Sequence, residues 1–155
     1  MRVRLRIAGI FYESSFHITG NKNTVKNLLD MAVSEPGKNI DFSYTTRIFK
    51  NKESVFSFSA KYASDFRSPV ENRPYPAGIY SISEDLEAYP VYSVWQYYIM
   101  DKKNVYKNRG KGSIPFTNAP ISDGDSVIWR LVNIHAPANQ KNGYTSPRME
   151  QLYAV

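Results

Sequence analysis

Residues 94–132 read VWQYYIMDKKNVYKNRGKGSIPFTNAPISDGDSVIWRLV. The spacing predicts strand, tight turn, short strand, loop, turn, strand. Trp95 to Met100 is apolar and aromatic, and Asp101-Lys102-Lys103-Asn104 then reverses the chain. A second turn falls at Ser122-Asp123-Gly124-Asp125, because glycine accepts a positive φ and aspartate bonds nearby amides. The β-branched and aromatic run Val127-Ile128-Trp129 that follows suits a largely buried strand. Asp123 and Asp125 are read as turn residues, since a calcium loop needs further oxygen ligands and a distal glutamate.

Outward from this stretch, residues 3 to 10 alternate. Val3, Leu5 and Ile7 share one face and Arg2, Arg4 and Arg6 the other, as expected of a half-buried strand. Ile10 to Thr19 completes a hairpin with it. From Asn23 to Ser34, Val25, Leu28, Leu29 and Ala32 form one apolar stripe, with Asn23 or Thr24 as cap and Pro36-Gly37 as stop. Phe42 to Phe49 and Glu53 to Ala60 read as a second hairpin, and Gly78 to Ile82 as a short strand. Residues 61 to 77, with Pro69, Pro74 and Pro76, read as irregular and as a candidate contact surface. Glu84, Asp85 and Glu87 read as a solvated acidic cluster. Residues 133 to 155 read as a C-terminal extension packing through Tyr144, Met149, Leu152 and Tyr153.

One amphipathic helix among many strands argues against a doubly wound parallel sheet. The economical solution is α+β: a β-grasp-like, ubiquitin-like mixed sheet curled around the helix of residues 23–34, with a long irregular insertion and a C-terminal tail. Residues 1–132 are expected to form this domain and 133–155 its extension. Trp95 and Trp129 are expected in its core.

Three groups of residues carry a family likeness: the helix opening Thr24-Val25-Lys26-Asn27-Leu28-Leu29, the run Trp95-Gln96-Tyr97-Tyr98-Ile99-Met100, and Ser122-Asp123-Gly124-Asp125-Ser126-Val127-Ile128-Trp129. In this order they resemble the transcobalamin-like β-grasp domains, most specifically over residues 94–132. That resemblance implies a small-ligand-binding domain. Where that family shows a Val-Asn-Gly turn, this chain has Met100-Asp101-Lys102. The helical domain that helps the secreted carriers enclose a corrin has no counterpart here, so cobalamin binding does not follow.

The chain has 155 residues, no cysteine, two histidines and a formal charge of +6, with a pI near 9.4. Without cysteine there is no disulfide, thiolate metal site or thiol nucleophile. His17 and His135 stand apart, and no P-loop, dinucleotide fingerprint or zinc motif occurs. The terminal Tyr153-Ala154-Val155 lacks the Gly-Gly tail of a conjugated carrier. No signal peptide or membrane span is visible, so a cytoplasmic protein without membrane, metal or cofactor partners is expected. The expected function is non-enzymatic binding of another macromolecule, most simply a protein, through a sheet face or edge and basic, tyrosine-rich loops; an acidic surface or nucleic acid is the other class of partner. Such a small basic domain suits a phage or mobile-element inhibitor. The alternatives are the small-ligand domain and single-stranded nucleic-acid binding. Candidate contacts are Arg2, Arg4, Arg6, Tyr97, Tyr98, Lys102, Lys103, Tyr106, Lys107, Arg109 and Lys111. The plainer reading of these is a solvated strand face and hairpin tip.

Overall fold

The computed structural model describes residues 1–9, 12–20, 23–35, 40–49, 51–67, 72–87, 90–110, 114–135 and 148–151. The fold is α+β, with one helix among the described residues. The main sheet contains β1 (Arg2–Ile7), β2 (Tyr12–His17), β8 (Val91–Met100), β9 (Tyr106–Arg109) and β10 (Ser126–His135) in the order β2-β1-β10-β8-β9. β1 and β10 run parallel at its centre, and the other pairs are antiparallel. A further strand, β11 (Arg148–Gln151), pairs with the end of β10.

The helix α1 (Val25–Ser34) forms where the apolar stripe predicts. Val25, Leu28 and Leu29 are 0% exposed and Ala32 is buried. Of the two candidate caps the structure uses Thr24. Its hydroxyl accepts from Asn27 N at 3.3 Å, and the Asn27 side chain accepts from Thr24 N at 2.9 Å. This is a reciprocal capping box with Asn in the usual Glu/Gln position. The next amides, Val25 N and Lys26 N, donate to Ala119 O and Phe116 O, so the helix start is tied to the loop before β10. Thr24→Ala is expected to lower the unfolding free energy by about 1 kcal/mol, read by urea denaturation. The Pro36-Gly37 stop lies outside the described residues.

Helix and main sheet do not close the core alone. β3 (Ile40–Phe49), β4 (Lys52–Tyr62) and β7 (Gly78–Ser83) form a second, antiparallel sheet in the order β3-β4-β7. Its inward Phe58 contacts Trp95 and Trp129 of the main sheet, with ring centroids 4.8 and 5.3 Å away, and Phe42 beside it at 5.8 Å. Asn51, at φ 62°, makes the β3–β4 turn. The single curled sheet expected from the sequence is therefore corrected to two larger sheets and a helix around one core, with a two-stranded ribbon beside them.

The irregular insertion expected at 61–77 is also corrected. β4 continues to Tyr62, and β5 (Phe66–Arg67) pairs with β6 (Pro74–Tyr75). Phe66, Tyr75 and Tyr80 pack ring against ring at 5.3 to 5.8 Å, which orders this proline-rich segment. Residues 68–71, including Pro69, lie outside the described residues. β10 runs on to His135, across the expected boundary at 132. Tyr144, Leu152, Tyr153 and the Met149 side chain are outside what is described.

Glu84 is another correction. Instead of a solvated carboxylate it is a buried one, its side chain 1% exposed and 2.6 Å from Arg47 Nε. Its other oxygen accepts from Trp95 N at 2.8 Å, which ties the end of β7 to β8. Burial raises the Glu84 pKa above its ordinary 4.5, against the pull of Arg47 and the Trp95 amide. The folded chain thus holds this proton more tightly than the unfolded chain. The resulting stability is complete below the ordinary carboxylate value and is lost as pH rises through the folded value. Glu84→Gln keeps the shape without the charge. Its stability is expected to rise relative to wild type between about pH 4 and pH 7. Urea unfolding at both pH values reads the difference.

Candidate interaction face

The pairing register decides which side chains share a face. Leu5, Val127, Ile99, Ile7, Trp129 and Tyr97 lie opposite one another and point into the core. Side chains one position along point away from this core, although Ile128, Val132 and Ile134 among them are buried. Arg6 pairs with Ile128, Ile128 with Tyr98, Arg130 with Gln96, and Tyr98 with Arg109. Arg2 and Arg4 continue the row on β1.

β9 joins this face through a bulge. Ile99 pairs with Asn108 but Met100 pairs with Tyr106, so Lys107 is the extra residue. Without it, Tyr106 and Arg109 would project from opposite faces. With it, both stand outward. The Arg109 guanidinium lies 5.2 Å from the Tyr106 ring centre, and that of Arg130 lies 4.9 Å from Tyr98. The two tyrosine rings meet edge to face at 6.2 Å. Each cation–π contact contributes about 0.5–1 kcal/mol where exposed, and more importantly holds the guanidinium beside its ring. Glu13 lies beside this row, 3.4 Å from Arg4 and 3.7 Å from Arg6, and Asp123 lies beside its Arg2 end. Among the described residues the arginines of the face outnumber the carboxylates beside it, and the face is positive on balance.

Arg2, Arg4, Arg6, Tyr98, Tyr106 and Arg109 therefore come together as candidates on one surface. Tyr97 does not. It is 6% exposed, its hydroxyl donates to the Ile114 carbonyl and accepts from Asn108 Nδ2, and burial pushes its pKa up to about 12. Its position is one residue out of phase with Tyr98, so it is a core residue. Lys107 is corrected too. Its ammonium sits 2.6 Å from Asp125, whose carboxylate is 2% exposed and also accepts from Ser122 N at 2.7 Å. It neutralises a buried charge and tethers β9 to the second turn.

Lys102 and Lys103 are exposed at the Asp101–Asn104 turn. Asp101 accepts from Lys103 N and Val105 N; the Val105 bond is the main cause holding its pKa below the ordinary value. Lys102 lies across Gly124, where a Cβ would come within 2.8 Å of its stem. With Arg2 and Arg4 it borders a groove of about 430 Å³. Asp101, Asp123 and Asp125 line the same groove and balance its charge. Asp123 there accepts from Arg2 N at 2.8 Å, so the Asp-Gly-Asp segment is a turn stitched to β1. Lys111 lies outside the described residues.

Two members of the face, Gln96 and Arg130, are not among the sequence candidates. Alternation from Trp129 carries the signal: if Trp129 faces in, Ile128 and Arg130 face out. The second sheet offers a contrast. Two of its outward rows, Thr45-Ser57-Ser83 and Ser43-Ser59-Ser81, carry small hydroxyls, with Thr45 bonded to Ser57 and Ser59 to Ser81, while the next row sets Asp41 beside Lys61.

Among the described residues no group of three or more His, Asp or Glu side chains is placed to hold a metal ion. No helix there is long and apolar enough to cross a membrane. Compared with protein-family models, curated proteins and solved structures, the chain matches none.

Proposed function

We propose that this chain is a β-grasp-like, non-enzymatic interaction module that binds a protein with an acidic surface through the outward face of its main sheet. The β-grasp reading is supported by the strand order: β1 and β10 lie parallel and adjacent, each beside an antiparallel partner, and the helix follows the β1–β2 hairpin. The observation that carries the function is the single surface on which Arg2, Arg4, Arg6, Arg109 and Arg130 surround Tyr98 and Tyr106. Arginine forks and tyrosines are the anchors enriched at protein interfaces, and planar guanidiniums match carboxylates.

A guanidinium already lies over each of these two rings, which favours a carboxylate-bearing partner over stacked bases. The small-ligand reading has less support. The apolar-walled cavity between the sheets is about 130 Å³, below the roughly 300–1,000 Å³ of cofactor-sized sites, and the groove of about 430 Å³ is lined by charged and polar side chains instead of the apolar walls such sites have.

The test is capture from native lysate by tagged wild type and by the Arg109→Glu/Arg130→Glu variant, at low and moderate salt. Wild type is expected to retain a protein that the variant loses. Retention of nucleic acid, read by absorbance ratio, or equal capture by both proteins would overturn the proposal.

A further inference from the structure

The cavity of about 130 Å³ between the two sheets is walled by Trp95, Tyr97, Phe116, Trp129, Val55 and Ile114. Most of these rings are buried. Ile114 is 53% exposed, and an exposed aliphatic side chain on a cavity wall marks an apolar mouth. The space is near the size of cavities that admit one benzene-sized group. It fits a single large side chain.

Its position gives it a role. Gly110 and Gln96 line the cavity, and both also belong to the positive face. Gly110 directly follows Arg109, and Gln96 pairs with Arg130. At φ +90°, Gly110 brings the backbone so close that a Cβ there would lie 2.8 Å from Gln96 Oε1 and 3.2 Å from the Tyr98 ring. One glycine thus separates a mainly apolar hole from the Arg109–Tyr98–Arg130 cluster. Glu53 is the one carboxylate lining the cavity and accepts from Thr46 Oγ1. It repels an acidic partner on its own side, so the partner's carboxylates must lie on the Gly110 side.

We infer that this cavity receives an apolar anchor from the partner, a Phe- or Leu-sized side chain flanked by acidic residues that pair with Arg109 and Arg130. This rests on the reading that the positive face binds an acidic protein. It adds what that reading lacks: the partner segment combines carboxylates with one large apolar residue. Such an anchor in a pocket beside paired charges is the usual arrangement of an interface hot spot.

The probes are fluorescein-labelled peptides followed by anisotropy against the full chain: one with phenylalanine between pairs of glutamates, one with alanine in its place, and one with phenylalanine between glutamines. The phenylalanine–glutamate peptide is expected to bind about tenfold or more tighter than the alanine peptide, and likewise than the glutamine peptide. Ile114→Asn at the mouth should erase the first difference and leave the alanine peptide unchanged. Val55→Phe, filling the cavity from within, should do the same, with circular dichroism checking that both variants fold. Arg109→Glu should weaken both glutamate peptides. Equal binding of the phenylalanine and alanine peptides overturns the anchor while the acidic-partner reading stands. Equal binding of the glutamate and glutamine peptides overturns the link between cavity and face. No binding by any peptide overturns the anchor, and the capture experiment then decides the face separately.

Discussion

Phe58→Ala is expected to lower the unfolding free energy by about 3–5 kcal/mol, the largest single loss in the described core. Phe58 is 0% exposed at the middle of β4 and touches the rings of Phe42, Tyr44, Trp95 and Trp129. Those contacts join the second sheet to the first. Truncation leaves a void bounded by large rings that cannot collapse into it, so the cavity adds to the lost transfer free energy. Urea unfolding followed by tryptophan fluorescence reads the change, since Trp95 and Trp129 line the same site. A loss below about 1 kcal/mol would mean that the second sheet does not pack on the first as described.

The second large effect is on binding. Arg109→Glu/Arg130→Glu is expected to weaken binding of the captured partner by about 100-fold or more, because each arginine is held against a tyrosine ring of the face and reversal sets like charges against the partner. The formal charge falls by four, from +6 to +2. Lys102→Glu/Lys103→Glu makes the same change at the exposed turn. Its expected cost is only a few-fold, felt mainly in the association rate and its salt dependence. The comparison separates a defined face from general basicity. Equal losses in the two variants would show that net charge alone carries binding, and the face would then be the wrong site. Thermal melting of both variants checks that the sheet survives, since Arg130 also lies over Tyr98.

The legibility of the molecule follows the range of its interactions. The apolar stripe of α1 was readable because Leu28 and Leu29 answer to a 3.6-residue period within one helix. The Arg2–Ile7 alternation was readable for the same kind of reason, and so was the turn at Gly124, whose φ is +83°. The candidate face was half readable. Arg2, Arg4 and Arg6 declare their side by alternating with aliphatics. Trp95 to Met100 does not, because Tyr97 and Tyr98 are chemically the same and each parity holds large apolar side chains. Only the pairing of Tyr97 with Trp129 and of Tyr98 with Ile128 tells them apart.

What the chain specifies by itself is thus local: one helix, the strand segments, their turns, and a basic, cysteine-free composition. The tertiary structure decided which parity of β8 and β10 meets the core, and it placed the bulge that turns Tyr106 and Arg109 to one side. It also took Lys107 away to Asp125 and buried Glu84 against Arg47. Each of these depends on residues distant in sequence meeting across sheets. A period of two states that side chains alternate, but only the neighbouring strand and layer determine which alternate is covered.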